Sequence, residues 1–470
     1  MVFSDPVFLF AFLPVVLSLY WVIAFRKRNA YIAIVGIVFY IWSGGALVFL
    51  LILTIVSNYI AASLIHRSEN HFYSRRIMLV AVCITTSSLL FWKYAEFFLT
   101  QLSGLGLKSL DGFHVVLPIA ISFYTFQCIS YVVDVYQKKC SPAPSLIDFA
   151  AYILLFPHLI AGPIVRYAGI SEELLAPSRQ RLDDFVSGIP RFFWGLSKKI
   201  IIADQVSVIV HRAFSLPDSD VTFTTAWIGA ISFSIQIYFD FSGYSDMAIG
   251  LARVFGFTFQ ENFRRPYSAI SVTDFWRRWH ISLSSWFRDY VYIPLGGNRV
   301  SAMGVYKNLL IVFVLTGLWH GSNWVFLVWG LFHGLWLILE RLAGLSQPAV
   351  TKLGRYGRRL LTFIIVALGW VIFRSSDLAQ AFSFFIAMLN FDTQVPISVR
   401  EVLTHQRLIM LMLGLSIVIL GGTQSIGERL SIRHGGKEDL MKLVVVVFIA
   451  PLALIYSLTS AFSPFLYFQF

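Results

Sequence analysis

Residues 309–321 read LLIVFVLTGLWHG, a run of aliphatic and aromatic side chains that ends in a histidine between tryptophan and glycine. Backbone groups have no water to bond with in lipid, so such a run must satisfy them internally as an α-helix. Similar runs recur from Val7 to Phe468, and roughly a dozen can be drawn at about 20 residues each. The 470-residue chain is 57% hydrophobic and only 13% charged, outside the range of a water-soluble domain. The pattern predicts an all-α, polytopic transmembrane protein, because barrel strands would give short alternating segments instead. Val7 to Phe25, followed by further spans and lacking a small-residue cleavage site, reads as a retained helix.

Lysine and arginine outnumber aspartate and glutamate by 37 to 25, but their placement argues for sidedness and against nucleic acid. Arg26, Lys27 and Arg28 follow the first span, Arg67, Arg75 and Arg76 the third, and Lys138 and Lys139 the fifth. The turns between, around Ser43 to Gly45 and Leu102 to Phe113, hold only Lys108. By the positive-inside rule the N-terminus is expected outside and the basic loops in the cytoplasm. Cys83, Cys128 and Cys140 are too few and scattered for a disulfide framework or a zinc site.

No repeat or low-complexity linker divides the chain, so one integral membrane domain over 1–470 is expected. Within it, 1–114 and 346–470 read as plain apolar helices, and 115–345 carries most of the unusual polar residues. Three stretches there depart from the logic of a lipid-facing helix.

The first is TDFWRRWHISLSSWFRDY, 273–290. At about 100° per residue, Phe275, Trp276, Trp279, Leu283, Trp286, Phe287 and Tyr290 share one apolar arc. Arg277, Arg278, Arg288, Asp289 and three serines fill most of the rest, with His280 at the boundary. This pattern predicts one amphipathic helix at the interface or dipping into the bundle, its tryptophans at headgroup depth. The second is SFSIQIYFDFSGYSDMAIG, 232–250. Ser232, Gln236, Asp240 and Gly243 align on one face, Tyr244 lies beside them, and Asp246 points elsewhere. An intramembrane carboxylate faces a cavity or a partner, and Arg264 or Arg265 is available to pair with Asp240. Phe241 to Tyr244 suggests a helix interruption. In the third, the opening run, Thr316, His320 and Asn323 form a narrow polar stripe. Gly317 and Gly321 beside it would admit another backbone or a narrow substrate.

A buried imidazole is either a structural hydrogen-bonding group or a base. Burial keeps it neutral, the form that takes a proton from a hydroxyl. Acyl transfer is then reasonable chemistry: an alcohol so activated attacks a thioester carbonyl, and backbone N–H groups or the Asn323 amide stabilise the oxyanion. His320 and His333 lie about 220° apart around an ideal helix, so they cannot chelate a metal together. No HExxH cluster, phosphate loop or GxSxG elbow occurs. A channel or transporter lined by these polar residues, or a non-catalytic scaffold, remains the competing class.

Taken together, LPIAISFYTFQCISYVVDVY (117–136), DFAAYILLFPHLIAGPIVR (148–166), YFDFSGYSDMAIGLARVFGF (238–257), ENFRRPY, DFWRRWHISLSSWFRDYVYIPLGGNR (274–299) and GLWHG resemble the membrane-bound O-acyltransferase family, and its bacterial alginate O-acetylation branch in particular. The opening MVFSDPVFLFAFLP is similar to that branch too. Ala120 stands where the family pattern has glycine.

The resemblance implies a ring of tilted helices around a central funnel or tunnel, with His320 and His280 catalytic and no bound cofactor. Asn323, Trp319, Arg278, Asp289, Asp240 and Tyr244 would line the substrate path. It further implies an inner-membrane enzyme drawing acetyl from a cytosolic thioester such as acetyl-CoA. The acceptor would be an exopolysaccharide or a periplasmic acetyltransferase, with membrane lipid around the protein. The D-alanyl transfer protein of teichoic acid modification is the rival within the family.

Overall fold

The computed structural model describes residues 2–104, 115–176, 181–345, 351–419, 424–433 and 435–459. Lys108 and the end of the last apolar run at Phe468 lie outside them. Among the described residues all regular structure is helical. The principal helices are α1 (Phe8–Val22), α2 (Arg28–Gly44), α3 (Val48–Arg67), α4 (His71–Gly104), α5 (Ile121–Tyr136), α6 (Arg181–Ser197), α7 (Phe223–Val254), α8 (Val272–Trp276), α9 (Ile281–Phe287), α10 (Ala302–His320), α11 (Trp324–Leu342), α12 (Lys352–Arg374), α13 (His405–Ile419) and α14 (Gly436–Thr459).

Six described stretches are long and apolar enough to cross a membrane: Phe25–Arg67, His71–Ser103, Ala302–His320, Trp324–Leu342, Leu353–Arg374 and Gly436–Thr459. The chain is a multi-pass membrane protein. Fewer stretches qualify than the dozen expected runs: Phe25–Arg67 holds both α2 and α3, Phe8–Val22 and His405–Ile419 are apolar but shorter, and some runs are buried inside the protein. Leu154 to Val165, for example, is apolar except for His158, yet Pro157 and Pro163 cut it into short pieces. Every one of its residues is buried.

The described chain forms two compact units, one of residues 1–192 with 247–260, the other of residues 193–246 with 261–470. In the first, Phe3, Phe8, Phe39 and Phe156 pack as an aromatic core, Phe39 and Phe156 with ring centroids 5.4 Å apart. Ala120 precedes α5 in the left-handed region, at φ 64. A Cβ is unfavourable there, which accounts for the glycine of the family pattern at this place.

The second unit is organised by the hairpin α10–α11. Ser301 caps the start of α10 by accepting from Gly304 N, and α10 ends at His320 because Gly321 is extended. Asn323 then caps α11, accepting from Val325 N at 3.2 Å. A link this short makes the helices antiparallel neighbours. Glycines let them approach closely: a methyl on Gly317 would stand 2.3 Å from the Phe326 carbonyl oxygen, and one on Gly330 2.3 Å from that of Phe313. The space beside Gly317 is therefore filled by the backbone of α11 rather than by substrate.

Two expectations are corrected here. Residues 276–290 do not form one amphipathic helix: α8 stops at Trp276, the chain turns, and α9 starts after His280, which is itself left-handed (φ 42, ψ 55). The backbone bonds sideways instead of along a helix, with Arg264 N donating to Arg278 O and Ile281 N to Asn262 O, each at 2.9 Å. Trp276, Trp279 and Trp286 are buried in the protein instead of facing outward from such a helix. Helix α7, conversely, runs unbroken through Phe241 to Tyr244. Gly243 serves close packing, since a methyl on it would lie 2.8 Å from the Gly195 carbonyl oxygen of α6.

Two substitutions test this reading by thermal melting in detergent. Gly330→Ala should lower the melting temperature, by about 2 kcal/mol or more of stability, because the hairpin must open to admit the methyl. Ala120→Gly should raise it, by about 1 kcal/mol, by relieving the left-handed alanine.

Candidate active site

His280 is completely buried, and its orientation is fixed by Asn262. The Asn262 side-chain amide donates to Ser245 Oγ at 3.0 Å, which leaves its Oδ1 facing the other way. That oxygen lies 2.8 Å from Ser282 Oγ, 3.3 Å from Ser282 N and 3.1 Å from His280 Nδ1. An amide oxygen can only accept, so Nδ1 carries the ring proton and the lone pair sits on Nε2. Burial pushes the pKa of this ring from 6.5 down to about 3, which keeps it neutral.

Aromatic rings connect this histidine to the end of α10. His280 stands against Phe241 edge to face at 4.7 Å, and its centroid is 5.9 Å from Trp319. Trp319 in turn contacts the adjacent His320 ring at 4.9 Å. His320, 6% exposed, is boxed on its other sides by Trp329 at 4.9 Å and Phe373 at 5.1 Å, both nearly perpendicular to it. Its position at the last residue of α10 follows from the Gly321 break, which turns the chain immediately beyond the ring.

The structure thus brings together His280, Trp319 and His320. Other expected site residues have different engagements. Asn323 is exposed, caps α11 and donates to Ser376 O at 3.1 Å, so it does not continue the stripe of Thr316 and His320. Arg278 pairs with Asp274 at 2.8 Å, and Asp289 with its neighbour Arg288 at 2.6 Å. Asp240 pairs with Lys199 at 3.0 Å, not with Arg264 or Arg265. Arg264 binds Glu428, and Arg265 donates to Val418 O. Tyr244 is buried on α7. Among the described residues no group of three or more His, Cys, Asp or Glu could hold a metal ion.

Residues 138–379 match the membrane-bound O-acyltransferase family. A protein of Azotobacter vinelandii described as a probable alginate O-acetylase is 38% identical, with each chain covered over its whole length. The chain belongs to the membrane-bound O-acyltransferase family. It is an O-acyltransferase. A peptidoglycan O-acetyltransferase of Helicobacter pylori is 34% identical over 83% of this chain and 80% of its own. A teichoic acid D-alanyltransferase of Bacillus subtilis is 28% identical over 46% of this chain and 57% of its own.

In this O-acyltransferase, several residues that shape the site escaped the helical wheel. Asn262 and Ser282 orient His280 from a loop and from the start of α9, a relation set by chain reversal and not by spacing. Glu340, on α11, caps α8: Val272 N and Thr273 N donate to its carboxylate, as does Thr273 Oγ1 at 2.9 Å. Lys198 and Lys199 carried a signal in the sequence, two adjacent ammonium groups leading into IIIA. Such groups must find carboxylates when buried, and they do so at Asp246 (2.6 Å), Asp204 (2.6 Å) and Asp240.

The depressed pKa of His280 has a consequence for stability. Below about pH 6.5 the unfolded chain binds a proton that the native ring refuses until about pH 3, so this contribution falls as pH drops through that window and is intact above it. Melting curves from about pH 7 to about pH 4.5 should show His280→Gln losing less stability than the parent, by up to about 1.4 kcal/mol per pH unit.

Proposed function

We propose that this enzyme is an O-acetyltransferase of the inner membrane. It draws acetyl from a cytosolic thioester, acetyl-CoA, and passes it across the membrane for O-acetylation of an exopolysaccharide such as alginate, directly or through a periplasmic acetyltransferase. The observation that carries this reading is the end-to-end similarity to the Azotobacter protein. The alternation of basic loops supports an N-terminus outside and a donor arriving from the cytoplasm.

His320 acts as general base. Its imidazole takes the proton of the acceptor hydroxyl, whose oxygen forms a bond to the thioester carbonyl carbon. The carbon–sulfur bond of the resulting intermediate breaks, and the imidazolium returns the proton to the departing sulfur, so that a free thiol leaves and the neutral base is restored. His280, its tautomer set by Asn262, assists from the other side of Trp319. Asp240, Arg278 and Asp289 stabilise the walls of the path through their ion pairs, and Asn323 shapes its mouth by capping α11. Trp319 and Tyr244 line it. Transfer of D-alanine is the second reading, supported by the teichoic acid relatives, whose similarity spans about half of this chain.

Purified protein supplied with radiolabelled acetyl-CoA and a hydroxyl acceptor should release free CoA and label the acceptor. His320→Ala should reduce that rate by about 10²-fold or more while the variant stays inserted and folded. Unchanged transfer by His320→Ala would refute the mechanism. Labelling from D-alanyl thioester alone would favour the second reading.

A further inference from the structure

Helix α4 has 34 residues, about 51 Å of helix against a hydrocarbon core of about 30 Å. Of the six membrane-crossing stretches it has the least protein cover, with 17% of its apolar window buried. Against α3 it leaves a cavity of about 390 Å³. The floor is made by small side chains, Ala61 buried on α3 and Ala81 half-buried on α4. At its inner end Asn58 Nδ2 donates to Thr85 Oγ1 at 3.1 Å, closing the polar atoms of both helices against each other. At its outer end stand Tyr73 and Arg76.

From Tyr73 to Thr85 the groove runs along about 18 Å of helix, slightly more than one leaflet of hydrocarbon. Its lining is almost wholly apolar except at the Arg76 end. The guanidinium there is exposed and lies over the Phe72 ring at 5.9 Å; Arg67 and Arg75, nearby in the sequence, are exposed too. An apolar slot about as long as one leaflet, with an exposed arginine at its end, is complementary to a lipid tail joined to a negatively charged headgroup.

We propose that the α3–α4 groove is a binding site for an anionic phospholipid, with one acyl chain lying over Ala61 and Ala81 and the phosphate at Arg76 and the Tyr73 hydroxyl. The site lies wholly within the first unit, and its test reads lipid retention, not acyl transfer.

Delipidated full-length protein in detergent is mixed with phosphatidylglycerol or phosphatidylcholine of identical acyl chains, and bound lipid is counted by native mass spectrometry. The parent protein should retain phosphatidylglycerol about fivefold better, the preference that one surface arginine confers. Arg76→Gln should bring the ratio close to one, and Ala81→Leu, which fills the groove, should reduce retention of both lipids. Equal retention of the two lipids by the parent would overturn the proposal. So would undiminished phosphatidylglycerol retention by both variants, each of which is expected to melt within a few degrees of the parent.

Discussion

The loop at Asn262 decides where the second histidine stands. Its backbone oxygen accepts from Ile281 N, its side-chain oxygen gathers Ser282 and the His280 ring, and its amide is held by Ser245. One residue therefore sets both the break that frees His280 from a helix and the tautomer of its ring. The left-handed backbone of His280 is costly for a residue with a Cβ, and persists because these bonds over-determine it.

The ion pairs of Lys198 and Lys199 make a second fixed framework. Each ammonium meets a carboxylate within hydrogen-bonding distance, Lys198 on Asp246 and Lys199 between Asp204 and Asp240. Such pairs contribute little net stability when complete, but loss of one member strands a charge in a medium of low polarity. Asp240 and Asp246 sit on α7 and the lysines directly after α6, so these pairs set how the two segments meet in the second unit. The contact at Gly243 and Gly195 has the same effect by shape alone.

Much of this was legible in the sequence. Apolar runs announced an all-helical membrane protein, and the WHG histidine stood out as an ionisable ring within one of them; the wheel, however, carried its helix on to Asn323, whereas the extended Gly321 ends it at His320. Local rules failed where the chain bonds to itself across distance. No wheel shows that residues 262–264 pull 278–281 out of helical register, so the amphipathic pattern of 276–290 pointed to a helix that does not exist. Phe241 to Tyr244 misled in the opposite sense, because a Gly–Tyr pair inside an apolar run looks the same whether it breaks a helix or lets a neighbour approach. Asp240 was read as facing either a cavity or a cation, and it meets a cation, Lys199. Its partner was sought downstream at Arg264 or Arg265, while the lysine that meets it lies about forty residues upstream, in the lysine pair of KKIIIA whose signal went unused.

The carboxylate of Glu340 has a mechanical meaning. It clamps the first turn of α8 to one end of α11, and α11 is locked to α10 by backbone contact at Gly317 and Gly330. The three helices thus form a single stiff strut carrying His320 directly and leading through α8 to His280. The position of His320 is in that sense tied to the start of α8, one short helix before the turn that carries His280.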